Sequence, residues 1–286
     1  MINVHVNLLS SPLPEAFDFL FKSNHLSEGE AASAKAALTG MDSDSTYAKL
    51  LQTGEAIGFA VYTLANLLHR KMTFYAEIEI EPSRHLLSGL SKKEVILSAL
   101  MGLKSERAES GKPARLIVRA DSAIDVEEAN AYREDGVAGI SISNPNEAKS
   151  IADRCIDLSL PYMADVSALG IRPALSLSPH RLYGASPLFE DRNSLLLSRF
   201  ASCQIELPGG PIGELEKGML GNLLLATPSL SSDPIAQYRQ IKNGLGLDSD
   251  SWREFIIQSA DGCFLDEEEK KFLKEIVIKK FLSGEE

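Results

Sequence analysis

Cysteine is scarce in this chain, and histidine nearly so. The three cysteines, Cys155, Cys203 and Cys263, are widely spaced and form no C-x-x-C pair, which argues against a disulfide framework or a thiolate zinc site and for a reducing compartment. No Lys/Arg cluster appears, and 40 acidic against 29 basic residues leave a formal net charge of -11. Nucleic acid and anionic membranes are poor partners for such a surface. No apolar run approaches the ~20 residues that span a bilayer, and no positively charged start leads into an apolar stretch. The expectation is a cytoplasmic protein. Gly-x-Ser-x-Gly is missing too, so serine chemistry of the elbow type has no starting point.

What is present is enough apolar residue, 44% of 286, to bury a large core, and residues 1–286 read as a single domain. The first strand, Ile2 to Leu8, alternates β-branched or apolar residues with Asn3, His5 and Asn7. One face is therefore greasy and the other polar and able to coordinate. Helical spacing follows at Pro14–Ser23 and Glu28–Leu38, then in a longer helix capped by Ser43 or Ser45 and reaching Arg70. Thr73–Ile80 alternates as a strand, and the strand–helix unit then repeats. Strands are expected at Ala114–Ala120, Val137–Ser143, Pro161–Val166, Arg181–Ala185, Cys203–Leu207 and Leu223–Leu230. Helices are expected at Lys92–Glu109, Val126–Glu134, Asn146–Ser159, Leu188–Ala201 and Ile212–Gly221, with two more at the end of the chain. The last begins at Asp266 with Glu269 in capping-box spacing and Glu267 four before Lys271. Eight strands alternating with helices are the arithmetic of a (β/α)₈ TIM barrel with extra helices after the first strand and at the C-terminus. A doubly wound open sheet is the rival.

In a barrel the lumen side can be read by parity. Tyr75, Glu77, Glu79 and Glu81 face inward on strand two, as do Arg119 and Asp121, Ser141 and Ser143, Met163 and Asp165, and Gln204 and Glu206 on later strands. Glu77, Glu79, Asp165 and Glu206 cannot all ionise in a dry site with Arg119 as the only cation. They must be protonated, paired, solvated or bound to a cationic ligand. The plainer reading is a wet mouth with a structural Arg–Glu pair.

Several stretches resemble the adenosine deaminase family of the metal-dependent hydrolase superfamily. His5-Val6-Asn7-Leu8 is similar to its His-x-His-Leu-Asp-Gly opening, and Tyr75 to Pro82 to its Tyr-x-Glu-x-Arg-x-Ser-Pro. Arg181 to Ala185 falls on Arg-x-Gly-His-Gly, with the acidic pair Glu190-Asp191 after it, and Ser231-Ser232-Asp233-Pro234 on Asn-Thr-Asp-Asp-Pro. Ile256 to Lys271 resembles the closing segment with Phe-Leu and Glu-Glu-Lys. The resemblance implies a barrel in which two strand-one histidines, a strand-five histidine and a strand-eight aspartate hold zinc. A glutamate and a strand-six histidine then move protons.

The departures fall on those residues. His5 is kept, Asn7 replaces the second histidine, and Met163-Ala164-Asp165-Val166 falls on His-Ala-Gly-Glu. Gly184 stands at the strand-six histidine and Ser232 at the ligand aspartate, with Asp233 beside it. A catalytic zinc needs about three protein ligands and an open position, and the remnant His5, Asn7 and Asp233 do not amount to one. Of the other histidines, His25 and His69 lie on helices or their ends and His85 and His180 in connections, and each reads as a surface or capping group rather than a ligand. His85 and His180 are the two placed to reach the mouth. Gly209 and Gly210 read as a turn, or as N–H donors to an anion.

Three functions stay open. The first is a catalytically inactive pseudoenzyme with a residual pocket for a small molecule or a protein partner, its wall formed by His5, Asn7, Glu77, Glu79, Arg119, Asp165, Gly184 and Asp233. The second is a divergent hydrolase or deaminase of a purine nucleoside or related amine, with Asp165 and Glu77 as candidate catalytic groups. The third is a structural subunit with a filled lumen. No cofactor is expected, zinc only if other residues re-form its site, and the oligomeric state is left open.

Overall fold

The computed structural model describes residues 2–38, 43–71, 73–190, 203–206, 223–224, 226 and 234–282. Eight parallel strands follow one another across a single sheet in chain order: β1 (Ile2–Asn7), β2 (Tyr75–Ile80), β3 (Ala114–Ala120), β4 (Val137–Ile142), β5 (Tyr162–Asp165), β6 (Arg181–Tyr183), β7 (Gln204–Glu206) and β8 (Leu223–Leu224). A doubly wound sheet reverses its strand order part-way; this one does not, which removes the rival topology. The sheet also curls. His5 of β1 touches Glu79 of β2 at 3.1 Å and Glu206 of β7 at 2.7 Å, whereas six steps of ~4.8 Å across a flat sheet would hold β1 and β7 about 29 Å apart. The fold is a (β/α)₈ barrel.

Four helices lie between β1 and β2: α1 (Pro14–Ser23), α2 (Glu28–Leu38), α3 (Ser43–Leu50) and α4 (Gly54–Arg70). The single long helix expected from Ser43 to Arg70 is thus two. Thr53, in extended conformation, accepts a hydrogen bond from the Ala56 amide and starts α4 afresh. Along α4 the buried residues Ile57, Val61, Leu64 and Leu68 keep the three- and four-residue spacing of a one-sided stripe. This face meets the barrel, and a neighbouring face meets α5 (Lys92–Ser110). There Gly58 and Gly102 let two backbones cross so closely that a Cβ on Gly102 would overlap the Gly58 carbonyl oxygen. Helix α5 is fixed at both ends, by a Ser91/Glu94 capping box and by Gly111 at φ 70°.

The remaining crossovers are short: α6 (Ala123–Asn130), α7 (Ala148–Asp157), α8 (Val166–Leu169), α9 (Ile171–Ser176) and α10 (Ser186–Glu190). The C-terminal helices are α11 (Pro234–Gly244), α12 (Ser249–Ser259) and α13 (Glu267–Leu282), one more than expected. The expected reciprocal cap of α13 forms, with the Glu269 amide donating to Asp266 Oδ1 at 2.8 Å. Glu267 pairs with Lys270 rather than Lys271, because the three-residue spacing already places Lys270 on its face. The expected helix over Ile212–Gly221, and most of that over Leu188–Ala201, lie outside the described residues. Among the described residues no helix is long and apolar enough to cross a membrane.

Candidate functional site

Parallel registration carries side chains of one parity onto one face. Pairings Asn7 with Glu79, Arg119 with Ser141, Ser141 with Met163, Met163 with Arg181, and Asp165 with Tyr183 line up the inward set around the barrel. That alignment produces two adjoining ionic groups. In the first, His5 lies between two carboxylates, with Nδ1 2.7 Å from Glu206 Oε2 and Nε2 3.1 Å from Glu79 Oε2. A carboxylate only accepts, so both ring nitrogens carry hydrogen and His5 is an imidazolium. Burial by itself would lower its pKa, but Glu206 and then Glu79 overcome this and hold it up at about 9. Glu79 also accepts from Asn7 Nδ2 at 2.7 Å and pairs with Arg119 at 2.5 Å. Its burial opposes ionisation, yet Arg119 and His5 bring its pKa down to about 2.

The second group is built on Arg181, which is fully buried. Its guanidinium donates to Glu77 Oε2 at 2.7 Å, lies 3.8 Å from Glu206 Oε1, and stacks on the Phe264 ring at 3.8 Å. Glu77 Oε1 accepts from the Tyr75 hydroxyl at 2.7 Å and from the Phe264 amide at 2.6 Å. Glu206 therefore joins both groups. His5, Arg119 and Arg181 stand against Glu77, Glu79 and Glu206, with the more exposed Glu81 as a fourth carboxylate 3.5 Å from Arg119. Glu77, Glu79 and Glu206 are thus buried and paired, in keeping with the structural Arg–Glu pair of the plainer reading, and Arg119 is not the only cation. Arg181 was the residue sequence reasoning missed. Its alternation with Leu182 and Tyr183 was the available signal, in a strand too short to make parity persuasive.

An apolar cluster of Ile117, Ala138, Met163, Tyr183 and Phe264 fills space beside the ions. The Tyr183 ring meets His5 edge-on at 5.2 Å, and its hydroxyl shares a hydrogen bond with Ser141 Oγ at 2.7 Å. Met163, at the family's zinc-histidine position, belongs to this packing. Asp165, a candidate for proton transfer by its position, is engaged as a helix cap. Its Oδ1 accepts from the Ser167 amide at 2.9 Å, the Ser167 hydroxyl at 2.6 Å and the Ala168 amide at 3.3 Å, capping α8. Gly184 has φ 59°, and a Cβ there would overlap Asp165 Oδ1 and crowd Ser167 Oγ, so this backbone has no room for a histidine.

The structure gathers His5, Asn7, Glu77, Glu79 and Arg119 into one network and sets Asp165 and Gly184 beside it. Asp233, Ser232, Gly209 and Gly210 lie outside the described residues. Asp121 turns away to Lys92 at 3.1 Å. Of the other histidines, His25 and His180 are exposed, as expected of surface groups, whereas His69 and His85 are not. His69 is buried and bonded to Glu106 at 2.7 Å, and His85 is buried with Nδ1 2.8 Å from the Leu51 carbonyl. His180 precedes β6, at the amino end of the strands, with its ring edge-on to Tyr162 and Phe264. His180 is therefore at the end opposite the carboxyl-end mouth, while His85 lies in the turn that follows β2.

Residues 39–156 match the adenosine deaminase family model. Over that segment the sequence is adenosine deaminase-like. Solved structures share the fold of the whole chain at low identity. An Arabidopsis ADAL complexed with IMP has a TM-score of 0.81 and 16% identity, over 98% of this chain and 96% of its own. The Arabidopsis N6-mAMP deaminase MAPDA has 0.78 and 18%, over 97% of each chain. Adenine deaminase from Arthrobacter aurescens has 0.76 and 16%, over 98% and 99%. No curated protein matches the chain.

The fold family implies a catalytic zinc, and the residues here fit one poorly. A ligating imidazole must offer a lone pair, whereas both nitrogens of His5 donate to carboxylates. Asn7 has its amide nitrogen on Glu79 and its oxygen on the Leu9 amide at 2.9 Å and the Ser10 amide at 3.1 Å. A dication would also enter a network whose three carboxylates already have three cationic partners. Among the described residues no group of three or more His, Cys, Asp or Glu is arranged to hold a metal.

Proposed function

We propose that this adenosine deaminase-like barrel is a pseudoenzyme: it does not deaminate purines through zinc, and it retains the barrel mouth as a binding site for a small molecule or a protein partner. One observation carries the reading. The single histidine kept from the family's zinc set is bonded through both nitrogens to Glu79 and Glu206, so the residue that would ligate a metal serves as a cation. Asp165, in place of the general acid/base glutamate, caps α8 through Oδ1, which further supports the loss of proton transfer. Among the described residues, Arg119 and Glu81, about one fifth exposed, and half-buried Asn7 are charged and polar groups within reach of a ligand. Their donor and acceptor mix suits a purine nucleoside or nucleotide, the class that ADAL is complexed with as IMP.

Two assays test this together. Purified chain incubated with adenosine, adenine and AMP should release no ammonia, and a thermal-shift series against the corresponding nucleosides and nucleotides should give saturable stabilisation that Arg119→Ala removes. Ammonia release that tracks enzyme concentration and disappears with chelator refutes the pseudoenzyme reading. No shift with any purine refutes the purine assignment.

A further inference from the structure

We infer that the lumen carries its own positive charge in place of a metal's: His5, wedged between Glu79 and Glu206 and backed by Arg119 and Arg181, is a built-in cation that holds the barrel closed without zinc. The inference rests on the reading of a metal-free barrel and adds what replaces the metal. Glu206 and Glu79 come from β7 and β2, on either side of β1 in the curled sheet, and His5 is the group that joins them. Each carboxylate has a second cation, Arg119 on Glu79 at 2.5 Å and Arg181 on Glu206 at 3.8 Å. Removing the His5 charge therefore leaves two buried carboxylates with one distant or one shared partner each. A buried ion stripped of its partner is strongly destabilising, and the deficit remains unless a cation of similar size refills the space. The arrangement differs from a metal site in one measurable respect: its cation is part of the chain, so neither added metal nor chelator should alter it.

The test is chemical rescue combined with metal titration. The melting temperature of the wild-type chain should be the same in excess zinc chloride and in EDTA. Zinc filling a native-state site at a hundred times its Kd would instead raise the midpoint by roughly 5–10 °C for a chain of this size, and such a rise overturns the inference. His5→Gly should melt lower, and free imidazole should restore the midpoint with EDTA present. Restoration that requires zinc, or a folded His5→Gly chain indifferent to imidazole, overturns it as well. If His5→Gly does not fold, Glu206→Gln decides: it should melt lower than wild type and remain indifferent to zinc, and an unchanged midpoint or a zinc response refutes the inference. Failure of purine binding with these results intact would sink the pocket reading and leave the built-in cation standing.

Discussion

Glu77→Gln isolates the deeper ionic group. The side chain is fully buried, its Oε2 accepts from Arg181 at 2.7 Å, and its Oε1 accepts from the Tyr75 hydroxyl and the Phe264 amide. An amide has one oxygen, so at least one of the three donors then faces an NH₂ group, and the Arg181 guanidinium loses its 2.7 Å charged partner while Glu206 stays at 3.8 Å. Loss of one partner of a buried pair costs about 3–5 kcal/mol. Taking a urea slope of about 3 kcal/mol/M, the upper end for small proteins, the unfolding midpoint should fall by roughly 1–1.7 M. Relief of carboxylate crowding predicts the opposite sign, because an amide would then stabilise. Urea titration followed by far-UV circular dichroism separates the two, and a midpoint equal to or above wild type refutes the paired network. Adding Arg181→Met in the same chain should recover most of the loss, since an apolar side chain leaves no unpaired cation.

Three other outcomes follow from the same contacts. His5, with its pKa raised from 6.5 to about 9, contributes stability fully present below pH 6.5 and lost as pH rises through 9. Glu79, lowered from 4.5 to about 2, contributes stability present above pH 4.5 and lost as pH falls through 2. Melting temperature against pH should therefore decline on the alkaline side, and a Glu206→Gln chain with an equally steep decline would contradict the His5 assignment. Asp165→Ala should cost about 1 kcal/mol through the lost α8 cap while Asp165→Asn stays near wild type; equal losses in denaturant titration would show that the charge, not the cap, matters. Gly184→Ala should destabilise by about 1–3 kcal/mol, from positive φ and the overlap with Asp165, and an unchanged midpoint would argue against that backbone conformation.

The alternation of β1 and β2 and the regular return of strand after helix were enough to specify a sequential (β/α)₈ barrel. They also put His5, Asn7, Glu77, Glu79 and Arg119 on one face, because strand parity is local and needs no partner to be read. The absence of the family's second and third histidines was likewise legible residue by residue. How the carboxylates are balanced was not. Arg181 sits on a strand of three residues, where alternation has too few terms to stand out, and its partner Glu77 lies 104 positions away. The Phe264 amide reaches the same carboxylate across 187 positions, a contact that no spacing rule anticipates. Asp165 looked like a catalytic carboxylate in sequence, and only the turn into α8 shows its oxygen held by the amides that follow it. Periodicity fixes which side of a strand a group takes. Its charge state depends on which groups the curled sheet brings beside it, and the curl, by carrying the Glu206 side chain of β7 to His5 of β1, is what turned His5 from a ligand-like residue into a cation.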